Sequence, residues 1–160
     1  MLKIMGILLI VASCSAIGFL QSRSYRQRAD GIRSFIDAFH IAKAEIVFKN
    51  TPVCDVFGVL EQQATGVARS FFACIKTENS ISAADILKRS NLKDRERGEI
   101  DTVMSVFGRY DSGNQAEIID KSIVRLEELH KQADNELAKN GRISSALGVT
   151  CGIVIAILLL

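Results

Sequence analysis

The sequence predicts an all-α fold: a helical bundle of about six helices between N- and C-terminal transmembrane helices. Three observations carry this. Apolar residues in the middle of the chain recur every three or four positions, the period of one helix face. No stretch sustains the apolar–polar alternation of a half-buried strand. Each end of the chain is an apolar run, Met1 to Leu20 and Ile143 to Leu160. The expected organisation is a transmembrane helix over 1–20, a cytoplasmic helical domain over 21–142 and a second transmembrane helix over 143–160.

The C-terminal run contains no charge, and as a helix it spans about 27 Å, close to the thickness of a bilayer core. A buried core helix, a removable lipid-anchor tail and a membrane anchor all fit that length. Its many Leu, Ile and Val residues each favour insertion by roughly 0.3 to 0.6 kcal/mol, so the anchor is preferred. The N-terminal run is broken only by Lys3. Alone it would also fit a signal peptide, and Val11-Ala12-Ser13-Cys14 resembles a lipoprotein cleavage box, which would make Cys14 an acylated N-terminus of an extracytoplasmic lipoprotein or sensor. The apolar run continues past Cys14 through Ile17, Phe19 and Leu20 before Arg23, Arg26 and Arg28. That length and those flanks favour an intact helix. Basic residues flank the inner sides of both runs (Arg23, Arg26, Arg28, Arg33, Lys131, Lys139, Arg142), whereas only Lys3 lies outside. Positive flanks stay cytoplasmic, so the middle of the chain is expected in the cytoplasm with both termini across the membrane.

The formal net charge is +2, too small for nucleic-acid binding by bulk charge. Frequent Ile, Leu, Val and Phe exclude a disordered middle. Cys14, Cys54, Cys74 and Cys151 form no C-x-x-C pair and read as thiols, not as a metal or redox centre.

The first soluble helix is expected over Arg23 to Asn50, with an apolar stripe of Ile32, Phe35, Ile36, Phe39, Ala42 and Ile46. A weaker stripe joins Ala38, Ile41 and Phe48, with Glu45 among them. If that face packs, the carboxylate needs a donor; otherwise it reaches solvent at the edge. Thr51 suits an N-cap and Pro52 a first helical position, opening a second helix with Val53, Val56, Phe57 and Leu60 that ends by Thr65-Gly66. A short third helix carries Val67, Phe71, Phe72 and Ile75. Ser82 opens a fourth, with Asp85 at capping-box distance and Ile86 and Leu87 as apolar positions. Leu92 to Gly108 is a fifth, with Ile100, Val103, Met104 and Phe107 on one face. Its charged start, Lys93 to Glu99, has the mixed signs of a solvated surface. Asp111-Ser112-Gly113 is a turn, Ser112 and Gln115 form a capping box, and the last soluble helix runs from Asn114 to about Lys139. Ile119, Ile123, Leu126, Ala133 and Leu137 face inward, with Leu129 or His130 filling the gap. Asn140-Gly141 either ends it or lets it run on towards the membrane.

No phosphate loop, dinucleotide fingerprint, zinc-protease helix or nucleophile elbow is present, and His40 and His130 are solitary. The chain is therefore expected to be non-enzymatic, without catalytic residues, metal or cofactor. Gly148 and Gly152 form a G-x-x-x-G step, a spacing that lets a second helix approach closely.

The layout resembles the stage III sporulation protein AB family. The resemblance is carried by Met1-Leu2-Lys3 and the run to Gly18-Phe19, by Ala44-Glu45-Ile46, Phe48, Thr51 and Pro52, and by Phe107-Gly108, Gln115 and Leu126-Glu127. It continues through Ala138-Lys139-Asn140, Leu147-Gly148 and Gly152. Residues 72–91 and Tyr110-Asp111 depart from the family pattern. The resemblance implies a platform subunit on the mother-cell side of a secretion-like channel between mother cell and forespore. Its soluble domain would be similar to one cytoplasmic domain of the type II secretion inner-membrane platform protein. Implied partners are the secretion-type ATPase, stage III sporulation protein AA, and other membrane subunits, with no nucleic acid and with a homo-oligomer left open. Glu45, Thr51, Pro52, Phe107, Gly108 and Gln115 are the candidate structural or docking residues, and Gly148 and Gly152 the candidate membrane-packing pair.

Overall fold

A computed structural model describes residues 2–49, 51–77, 80–109 and 111–141, together with Ile143, Ala146 and Thr150. Among them there are six α-helices and no strand. They are α1 (Leu2–Phe48), α2 (Val53–Gln63), α3 (Gly66–Lys76), α4 (Ser80–Arg89), α5 (Asp94–Val106) and α6 (Ser112–Glu136), the last followed by a π-helical turn at Leu137–Gly141. The chain divides into two compact units, residues 28–132 and the two ends, 1–27 with 133–160. The first soluble helix expected at Arg23 is thus the continuation of α1 from Leu2. Among the described residues no helix is long and apolar enough to cross a membrane. Most of the C-terminal run, with Gly148 and Gly152, lies outside the described residues, as do most side chains of residues 1–17, including that of Cys14.

In the 28–132 unit the core is laid down by α1. All six residues of its expected stripe, from Ile32 to Ile46, are buried. Aromatic rings extend that stripe across the bundle. Phe35 meets Phe71 edge-on at 5.4 Å and Phe72 at 6.3 Å, and Phe57 stacks with Phe72 at 6.3 Å. Such pairs are worth about 0.5–1.5 kcal/mol beyond the area they bury. Helix α3 packs against α2 and α4, and Val56, Leu60, Ala68 and Leu87 close those contacts. Ile100 and Val103 of α5, and Ile119, Ile123 and Leu126 of α6, complete the interior.

Two helix ends are closed in different ways, one by a residue distant in sequence and one by a local turn. The N-terminus of α3 receives no side-chain bond from its own N-cap, Thr65. Instead the buried Ser34 of α1 accepts from the Ala68 amide at 3.3 Å while donating to the Gly31 carbonyl at 2.7 Å. Gly66 permits this approach. Its φ is +57°, and a Cβ there would stand 3.4 Å from that of Ser34. At the end of α5, Phe107 (φ −56°, ψ 120°) and Gly108 (φ +76°) form a type II turn closed by the Arg109 amide on the Val106 carbonyl at 3.1 Å. The positive φ requires glycine at 108, and the turn sets the Phe107 ring 5.4 Å from that of Phe57.

Several expected boundaries move. Helix α4 starts at Ser80, not Ser82, and α5 at Asp94, not Leu92, which is buried before the helix begins. Helix α6 starts at Ser112, so Ser112 is its first residue and cannot be its cap. Asp111 takes that place. Its carboxylate accepts from the Asn114 side chain at 2.5 Å and more weakly from the Asn114 amide at 3.4 Å, and its carbonyl accepts from the Gln115 amide at 3.0 Å. These bonds, the Asn114 side chain foremost, hold the Asp111 carboxyl below the usual carboxylate range.

Phe72 is fully buried and touches three other rings. Phe72→Ala is expected to destabilise the chain by about 3–5 kcal/mol, read from urea unfolding. A loss below about 1 kcal/mol would contradict a ring cluster at the centre of the fold.

Candidate functional site

The candidate residues at positions 45–52 meet at the corner between α1 and α2. Glu45 is 5% exposed, so its carboxylate needs donors. It has two: Lys49 Nζ lies 2.6 Å from Oε1, and the Thr51 hydroxyl donates to Oε2 at 3.0 Å. The Thr51 amide also donates to the Glu45 carbonyl at 3.2 Å. The expected capping role of Thr51 is therefore corrected. Its hydroxyl is committed to the buried carboxylate, and Pro52 stands at the N-cap with no side-chain bond. Pro52 still supplies the carbonyl that accepts from the Asp55 and Val56 amides. The Lys49 ammonium and then the Thr51 hydroxyl hold the Glu45 carboxyl below its ordinary range, against burial that pushes it up. Phe48, expected on the same packed stripe as Glu45, is 82% exposed, and Val47 beside it is exposed too. With α1 ending at Phe48, the chain turns away before any helix can cover that ring.

The start of α5 corrects the expectation of a wholly solvated face. Glu96 is 0% exposed. Its Oε1 accepts from Arg28 Nε at 2.8 Å and is also bonded by Arg28 Nη2. Its Oε2 accepts from the Lys93 amide at 2.7 Å, half of a capping box whose other half is missing because a lysine side chain has no acceptor. Arg28, grouped by sequence with the basic flanks, is thus buried and neutralised within the bundle. Sequence reasoning missed this pair. The Glu three residues after position 93 was the available signal, masked by a lysine where a Ser or Thr marks a cap. Beside the pair an open groove of about 580 Å³ is lined by Lys93, Asp94, Arg95, Leu129 and Gln132 as well. A second hollow of about 480 Å³ shares Arg95, Leu129 and Gln132 and adds Arg125, which bonds Glu99 at 3.2 Å.

The remaining candidates lie elsewhere. Phe107 and Gly108 form the turn after α5, and Gln115 is buried in the first turn of α6. Among the described residues no group of His, Cys, Asp or Glu is placed to hold a metal ion, and His40 is exposed while His130 is half-buried.

Two outcomes follow from these contacts. Removing one member of the buried pair leaves the other charged and desolvated, so Arg28→Met is expected to cost about 3–5 kcal/mol in urea unfolding. The Arg28→Met/Glu96→Gln double variant should recover part of that loss, and strict additivity would argue against direct coupling. The folded Glu45 carboxyl titrates below its unfolded range. Its contribution is therefore present above the ordinary carboxylate pKa and is lost as pH falls through the lower folded value. Glu45→Gln should flatten the acid limb of stability against pH, and an unchanged limb would show the corner to be electrostatically silent.

The family model described as stage III sporulation protein AB matches residues 3–160. The stage III sporulation protein AB of Bacillus subtilis (strain 168) is 25% identical over 171 residues, covering 100% of each chain. No solved structure matches. The match runs through both apolar ends as well as the helical bundle, and the chain belongs to the stage III sporulation protein AB family, which places its role in sporulation.

Proposed function

We propose that this protein is a non-enzymatic, membrane-anchored platform subunit of a sporulation channel complex between mother cell and forespore. Its bundle faces the mother-cell cytoplasm and docks a secretion-type ATPase, stage III sporulation protein AA. The apolar runs at 1–20 and 143–160 anchor it, and other membrane subunits complete the complex. The observation that carries the reading is the family match from residue 3 to residue 160, which includes both runs with the bundle between them.

The corner between α1 and α2 is the docking surface on this reading. Phe48 offers a large exposed ring beside Lys49 and Pro52, and the Glu45–Thr51 bond holds the backbone that presents it. An aromatic anchor on a rigid support is the type of residue that dominates interface energy. An ATPase contact does work only if it differs between nucleotide states, so the corner should bind one state of the motor more tightly.

Protease added to right-side-out cells should leave the bundle intact; digestion from outside would sink the cytoplasmic placement. Phe48→Asp should lower co-purification of the ATPase about tenfold or more while thermal unfolding stays unchanged, because the ring is exposed. Undiminished co-purification would remove the corner from the interface.

A further inference from the structure

We infer that Phe19, Ser22, Arg23 and Arg26 form a site for the phosphate headgroup of an anionic phospholipid. The inference deepens the membrane reading and rests on it. These residues stand at i, i+3, i+4 and i+7, so they share one face of α1. Together they line a hollow of about 270 Å³ within the unit formed by the two ends of the chain.

Charge and shape both point to an anion. No Asp or Glu precedes Asp30, which stands one helical turn beyond Arg26. Among the described residues neither Arg23 nor Arg26 has a carboxylate partner. By contrast Arg28, Arg33 and Arg125 of the bundle pair with Glu96, Asp37 and Glu99. A guanidinium fork matches phosphate oxygens in two-point contact, and the Ser22 hydroxyl supplies a further donor. Gly141 holds that serine close. A Cβ at 141 would stand 3.3 Å from Ser22 Oγ and 3.1 Å from Leu137 Cδ1, an approach that glycine alone makes without displacement.

The lipid source is favoured by what adjoins the arginines. Phe19 is 65% exposed and Leu20 60%, one turn before the basic pair. A free phosphate would leave that apolar surface in water. A phospholipid covers it with acyl chain while its headgroup meets Arg23 and Arg26.

The test uses the full chain in nanodiscs of phosphatidylcholine with a minor fraction of phosphatidylglycerol. The lipids retained after extraction into detergent are counted by native mass spectrometry. Wild type should retain phosphatidylglycerol selectively. Selectivity should fall about fivefold for each arginine removed in Arg23→Gln and Arg26→Gln, and Arg69→Gln, an exposed arginine of the bundle, should leave it unchanged. Equal selectivity in the Arg23→Gln/Arg26→Gln variant would overturn the site while leaving the membrane reading intact. Displacement of the lipid by inorganic phosphate as effectively as by phosphatidylglycerol would overturn the lipid as ligand. Failure of the chain to enter phosphatidylcholine nanodiscs at all would overturn the membrane reading, and the site with it.

Discussion

A carboxylate with no exposed surface needs a hydrogen-bond partner for each of its oxygens. Glu96 satisfies that demand from two directions at once, Arg28 on Oε1 and the Lys93 amide on Oε2. The first contact joins α5 to α1, and the second starts α5 at a fixed residue. A buried ion pair of this type adds little net stability, because the desolvation of two charges offsets most of their attraction. What it does impose is register. A shift of α5 along α1 by a single residue would separate Glu96 from Arg28 and leave each charge in the interior alone.

This constraint also explains what was legible before the structure and what was not. The apolar stripe of α1 was readable because periodicity is a local property, and every residue from Ile32 to Ile46 on it is buried. The type and order of the six helices follow from the same signal. The fate of the polar residues depends on partners that local pattern does not contain. Glu96 lies among Asp94, Arg95 and Arg97 and has the local appearance of a surface residue, yet its partner is 68 positions away. Ser34 sits mid-helix with no visible task until the N-terminus of α3 reaches it. Thr51 has the chemistry of a cap but lies beside a carboxylate whose need is larger. The candidate corner was legible as Glu45, Thr51 and Pro52; the outward Phe48 was not, because a helical wheel assumes that the helix continues.

The pairing of cations sharpens the argument from basic flanks. A rule that counts Lys and Arg near apolar runs treats each as an available charge. Arg28 is not available, since Glu96 neutralises it in the interior, and Arg33 faces Asp37 one helical turn away. The part of the N-terminal flank without a carboxylate partner among the described residues is Arg23 and Arg26. The bias in charge survives this correction, because no acidic residue precedes Asp30. It becomes local, concentrated on one face next to Phe19, and a local pair of guanidiniums recognises a geometry where a diffuse excess of charge recognises only a sign.

Recognition has to be built from side chains that folding has left uncommitted. Arg28, Ser34, Glu45, Glu96 and Thr51 are spent on holding helices to one another, and substituting them would change the fold before it changed any partner. Two places differ. At the end of α1 the Phe48 ring is exposed on a corner whose backbone is fixed from within by Glu45, so it can be buried by another molecule with little loss of conformational freedom. Midway along the same helix, Arg23 and Arg26 hold charge with no carboxylate partner among the described residues. One surface is apolar on a rigid support and suits a protein; the other is basic beside an apolar band and suits a lipid headgroup. The division of labour follows from where the acidic residues lie in the sequence, absent before Asp30 and frequent after it, because only where acids are available can the bundle neutralise its own cations.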